Sequence, residues 1–114
     1  MGLSGGEMKR SEIFQLVAQN PQFMMFDEPE SGVDLENIKL LGETIKILLE
    51  KNKHIIDRKK SGLIITHTGY ILDYVSAEKG YVIVDGQIAC SSNPFEILRN
   101  IETNGFKECA ECLR

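Results

Sequence analysis

At 114 residues the chain has room for one small domain and not two. Hydrophobic residues make up 42% and charged residues 26%, a globular composition that excludes a disordered or fibrous chain. A formal net charge of −4 argues against a general nucleic-acid binder, which needs a basic face to displace counterions from phosphates.

Ser4-Gly5-Gly6-Glu7 reads as a capping box, in which the serine hydroxyl accepts from a backbone N–H and the glutamate reaches back. A helix is predicted from there to about Gln19, with Met8, Ile13, Leu16 and Val17 on its apolar side. Asn20-Pro21 stops it. Phe23 to Phe26 is a short apolar run without alternation, which predicts a strand buried on both faces. Asp34 caps a helix predicted over Leu35 to Asn52, where Ile38, Leu41, Ile45 and Leu48 form one stripe. Lys51 to Lys60 is polar and mostly basic, a solvated loop in which His54 is simply hydrated. Leu63 to Ile65 predicts a second buried strand, ending at Thr66-His67, and a short helix follows over Ile71 to Val75.

Tyr81 to Val84 and Gln87 to Cys90 flank Asp85-Gly86, the strongest hairpin signal in the chain. Asn93-Pro94-Phe95-Glu96 starts a last helix, predicted to run to about Asn104 and stop at Gly105, before a cysteine-containing tail. The order implies an α/β fold with a mainly parallel sheet, a C-terminal β-hairpin and flanking helices. It looks incomplete, since the run Phe23 to Phe26 wants protein on both sides. No apolar stretch approaches the roughly 20 residues of a membrane span, and Met1 to Gly6 has no signal-like apolar segment. Three cysteines, an odd number, suit a reducing compartment, so a soluble cytoplasmic protein is expected.

The chemistry concentrates at Asp27-Glu28. An apolar strand ending in two acids sets carboxylates at the carboxyl edge of a sheet, where α/β proteins place their ligands. In P-loop nucleotidases such an aspartate holds Mg²⁺ and a neighbouring acid orients or deprotonates the attacking water. By itself the pair also fits a solvated strand end. Its company narrows the reading. Leu3-Ser4-Gly5-Gly6-Glu7 lies about twenty residues upstream, Ser31-Gly32-Val33-Asp34 follows at once, and His67 ends the next strand.

With these residues the chain strongly resembles an ATP-binding cassette (ABC) ATPase. Leu3 to Glu7 is similar to the signature motif, Phe23 to Glu28 to Walker B, Ser31 to Asp34 to the D-loop, and His67 to the switch histidine. Within that family Glu7, Gly32 and Ile71-Leu72-Asp73-Tyr74 are most similar to the ATPase of the SUF iron–sulfur cluster assembly system, whereas Pro29 is common in transporters. The resemblance implies that Glu28 is the general base and that Asp27 is the Mg²⁺ ligand. It also implies that His67 donates to the γ-phosphate of ATP. Ser4, Gly5 and Gly6 would meet the γ-phosphate held by a second subunit, and Asp34 would link the two sites. Ordinary helix capping by Ser4 and Asp34 remains open beside these roles.

A P-loop requires Gly-x-x-x-x-Gly-Lys-Ser/Thr. The one lysine followed by serine or threonine is Lys60-Ser61, and no glycine occurs from Lys51 to Lys60. The resemblance therefore covers the C-terminal half of the family's domain, a partial P-loop NTPase fold lacking the P-loop half. Alone, the chain is expected neither to bind ATP tightly nor to hydrolyse it. Its expected partners are a second ABC subunit or a complementing N-terminal half, and SUF-type scaffold proteins. An uncovered apolar strand also predicts self-association. Cys109 and Cys112 form a single C-x-x-C, two ligands where a structural zinc site uses four, with Cys90 a third at most; they read first as two thiols in a tail and otherwise as part of a shared metal or cluster site. The alternatives are a non-catalytic interaction module and the ATP-binding subunit of a membrane transporter.

Overall fold

The computed structural model describes residues 5–112, with side chains for residues 7–106. The chain divides after Ser76 into two compact units. In the first, helix α1 (Gly5–Gln19) precedes strand β1 (Phe23–Asp27), helix α2 (Leu35–Leu48) and strand β2 (Ser61–Ile65). The second holds strands β3 (Gly80–Val84) and β4 (Gln87–Ser92) and helix α3 (Pro94–Cys112). No helix among the described residues is long and apolar enough to cross a membrane.

β1 and β2 run parallel, Phe23 opposite Ser61 and Asp27 opposite Ile65, with α2 as the crossover that a parallel pair requires. The start of the pair is tied down by Lys60, whose ammonium donates to the carbonyls of Asn20 and Pro21 at 2.9 and 2.6 Å. Met24 and Phe26 are buried in a core with Ile45 and Leu49 of α2 and with Ile71 and Val75; Ile13 and Leu16 of α1 pack on it. Leu41, Ile45 and Leu48 of the predicted α2 stripe pack in this core, and Ile38 is buried as well.

Several expectations need correction. β1 is not buried on both faces: its burial alternates, because α1, α2 and the 71–75 segment all pack on one side. The opposite side leaves Phe23 52%, Met25 66%, Leu63 48% and Ile65 46% exposed. Met8 and Val17 are exposed for the same reason, since α1 has one packing surface and Ile13 and Leu16 occupy it. α2 ends at Leu48, four residues early. There Glu50 adopts a left-handed φ of 55° and Lys51 N–H donates to the Lys46 carbonyl at 2.9 Å, a closing motif that satisfies the last carbonyls. The strands form two separate two-stranded sheets, one parallel and one antiparallel, rather than one mainly parallel sheet.

In the second unit Asp85 and Gly86 have φ of 51° and 76°, the double positive pair of a primed hairpin turn. Val82 and Cys90 face inward and pack with Ile97 of α3. The Asn93 side chain accepts from Phe95 N–H at 2.9 Å and caps α3, with Pro94 as its first residue. Gly105 breaks α3 as expected (φ 81°, ψ 169°), but the chain resumes helix beyond it, so the cysteine tail is helical to Cys112. The Cys109 and Cys112 side chains lie outside the described ones. Cys90 is a buried free thiol.

Candidate functional site

Parallel strands that end in register bring their following loops to one edge. Here the ladder runs one step beyond β1, with Glu28 N–H donating to the Ile65 carbonyl at 2.8 Å. Glu28 then takes a left-handed φ of 48°, a conformation that costs a non-glycine residue roughly 1–2 kcal/mol. Three bonds hold that turn. Besides its own N–H, the Glu28 carbonyl accepts from Ser31 N–H at 3.0 Å and from the Lys9 ammonium at 2.7 Å. Lys9 thus ties α1 to the end of β1.

The reversal takes the Glu28 side chain out of the strand alternation and toward the end of β2. Glu28 Oε1 lies 2.6 Å from His67 Nε2. Both are accessible, with Glu28 40% and His67 74% exposed, so solvent screens the pair and its worth is orientation rather than stability. Neighbouring contacts hold the His67 loop. Thr66 and Thr68 hydroxyls both donate to Glu30 Oε1, the latter at 3.2 Å, and Thr66 Oγ1 accepts from Gly69 N–H at 2.9 Å.

Asp27 is placed differently. It is exposed on the strand face that carries Phe23 and Met25, opposite Ile65, and no hydrogen bond or ion pair joins its side chain to Glu28 or His67. Among the described residues no group of three or more His, Cys, Asp or Glu is arranged to hold a metal ion. One free carboxylate at a strand end still suits Mg²⁺, which keeps several waters and takes one or two protein carboxylates plus substrate phosphates.

Asp34 is the N-cap of α2. Its Oδ1 accepts from Asn37 N–H at 2.9 Å, and the Asn37 amide donates to both carboxylate oxygens at 2.9 Å. The Asn37 backbone bond first, and its side-chain bonds second, hold the Asp34 carboxyl below the ordinary aspartate value. With Lys9, Arg10, Gly32 and Asn37 it lines a cleft of about 460 Å³ between α1 and the start of α2. Gly5 and Gly6 open α1, as expected, so their backbone N–H groups are among those no intrahelical carbonyl satisfies. Ser4 lies outside the described residues.

The structure therefore joins Glu28 to His67, while Asp34 bonds Asn37 and neither it nor Asp27 has a hydrogen bond or ion pair to that pair. Reading the sequence missed Lys9, Glu30, Thr66 and Thr68. The two threonines flanking a strand-end histidine were a visible signal, whereas nothing local marks Glu30 as a buried acid.

No family model matches the chain. It is 32% identical to the Probable ATP-dependent transporter SufC of Escherichia coli over 93% of its length, covering 40% of that protein. It is 38% identical to the Probable ATP-dependent transporter ycf16 of Cyanidium caldarium, again over 93% of the chain and 39% of the relative. A Probable ABC transporter ATP-binding protein of Streptococcus pyogenes is 31% identical over 98% of the chain and 41% of its own length. The chain spans about two fifths of these curated relatives and resembles the C-terminal part of an ABC ATPase.

Proposed function

We propose that the chain supplies the hydrolytic edge of an ABC-type ATPase and works with a half, on the same or another polypeptide, that carries the P-loop. The observation that supports this best is the meeting of Glu28 and His67 at 2.6 Å where two parallel strands end. In this reading the Glu28 carboxylate accepts a proton from the attacking water, and His67, whose Nε2 holds that carboxylate in the chain alone, turns its N–H to charge growing on the γ-phosphate when ATP is bound. Mg²⁺, when bound with ATP, neutralises phosphate charge, and Asp27 is the residue that would hold it. The N–H groups of Gly5 and Gly6 at the positive end of α1 would receive the phosphate held by a second subunit, and Asp34 would stand at the boundary between the two sites.

No stretch of the sequence can cradle the β-phosphate, so the chain alone should bind Mg-ATP weakly. A complementing N-terminal half would also cover the apolar face at Phe23, Met25, Leu63 and Ile65. The relationship to SufC, together with Glu7 and Gly32, favours a cytoplasmic role in iron–sulfur cluster assembly, with ATP hydrolysis remodelling a scaffold partner. The Streptococcus pyogenes relative favours a second reading, the ATP-binding component of a transporter.

The test completes the chain with a P-loop-bearing N-terminal half, fused ahead of it or added separately. Glu28→Gln should lower turnover by about 10²–10⁴-fold while Mg-ATP binding persists, because the amide keeps the shape and loses the base. Unchanged turnover would remove Glu28 from its role. Micromolar Mg-ATP affinity of the chain alone would contradict the need for a P-loop-bearing half.

A further inference from the structure

We propose that Glu30 is a positioning residue for His67. Glu30 is 8% exposed, the one buried charged side chain among the described residues, and its Oε2 is buried with no hydrogen-bond partner. Burying a carboxylate in this way is costly, and an unpaired buried oxygen is an exception that asks for a reason beyond packing. What the acid does have is Oε1, which accepts from the hydroxyls of Thr66 and Thr68, the residues on either side of His67.

Each hydroxyl has one proton and two lone pairs. Thr66 Oγ1 accepts from Gly69 N–H at 2.9 Å and Thr68 Oγ1 from Tyr70 N–H at 3.4 Å, so in both cases the hydroxyl proton is left for an acceptor. One carboxylate oxygen takes both. The loop after β2 is thereby pinned at two points to the loop after β1, and His67 is held between the pins, outside the buried cluster, where Nε2 reaches Glu28. Glu30 thus acts through His67 and touches neither Glu28 nor nucleotide. A single acceptor two residues beyond Glu28 sets both halves of the pair from the same loop.

The inference rests on the reading of Glu28 and His67 as the working pair, but its test needs no nucleotide. Side-chain ¹⁵N spectra of the chain at about pH 8, above the ordinary histidine range, report the hydrogen bonding of each imidazole. The sequence has two histidines, and His54, which is exposed, serves as the internal reference. Glu28→Ala defines the Nε2 signal of a released His67. Glu30→Ala should move His67 to that released position while His54 stays still. Glu30→Gln, which keeps an acceptor oxygen, should return most of the difference. Thr68→Val is exposed and nearly isosteric, and it should shift the signal part of the way even if Glu30→Ala fails to fold.

A His67 signal unmoved in folded Glu30→Ala, or in Thr68→Val when Glu30→Ala does not fold, would overturn the proposal. If these shifts occur but the completed ATPase tolerates Glu28→Gln, the positioning role stands and the catalytic reading falls. The reverse result rejects the positioning role alone.

Discussion

Gly42→Ala sets two opposing effects against each other in the middle of α2. Alanine is the better helix former by about 1 kcal/mol, so an exposed site would gain stability. Gly42 is buried, however, and a methyl there would sit 2.3 Å from Tyr74 Cβ and 3.1 Å from Tyr74 Cγ. Carbon atoms rest at about 3.5–4.0 Å, so the two elements must separate by more than about 1 Å. The obstructing atom is a Cβ, which no rotamer change can move; the backbone at residue 74 has to shift. It cannot do so freely, because the adjoining Ile71 and Val75 are fully buried against Ile45. Overpacking of this kind costs about 3 kcal/mol, leaving a net loss of about 2 kcal/mol after the helix gain. For a unit of this size that lowers Tm by about 8–16 °C. Urea unfolding should show a lower midpoint at constant slope. Gly62→Ala is the comparison: its nearest neighbour at 2.5 Å is the terminal Cδ2 of buried Leu49, with the Met24 carbonyl at 3.3 Å, so a side-chain rotation rather than a backbone shift relieves most of the clash and the loss should be smaller. A Gly42→Ala protein as stable as its parent, or one less perturbed than Gly62→Ala, would refute the packing argument.

Two further outcomes test other parts of the structure. Asp34 has a lowered carboxyl, so its contribution to stability is complete above the ordinary aspartate value near 4 and is lost as pH falls through the lower folded value. Asp34→Asn keeps an oxygen for the cap but does not titrate; its urea midpoint should fall less steeply between about pH 5 and pH 2, with a residual slope from Glu50, which Lys59 N–H and Lys53 also lower. Equal slopes would remove Asp34 as the source. On the open face of β1 and β2, Met25→Lys with Leu63→Glu, opposite charges on directly paired positions, should change stability by no more than about 0.5 kcal/mol, and should reduce association seen by sedimentation velocity. A parent chain that stays monomeric at high concentration would leave nothing to reduce.

Much of the local architecture was legible in the residues because its causes are local. The 3.6-residue stripe from Ile38 to Leu48, the Asp34 cap, the Asp85-Gly86 turn and the Gly105 break each follow from a side chain or backbone freedom acting on its own neighbourhood. The end of α2 was misplaced because glutamate in a left-handed cap carries no composition signal, unlike glycine. The burial of Phe23 and Met25 was misjudged because an apolar run states what a strand can bury, and only the arrangement of the helices states which face is covered.

The same division runs through the candidate site. Asp27-Glu28, His67 and their spacing from Ser31 to Asp34 were readable from the chain alone as a candidate site, since motif and order are one-dimensional properties. That Glu28 and not Asp27 reaches His67 was decided by parallel pairing in register and by one positive φ, which turns consecutive carboxylates to different sides. The role of Thr66 and Thr68 depended on a buried acid thirty-six and thirty-eight residues away in sequence. Such contacts exist only once two strands lie side by side, because neither loop can satisfy its own polar groups without the other.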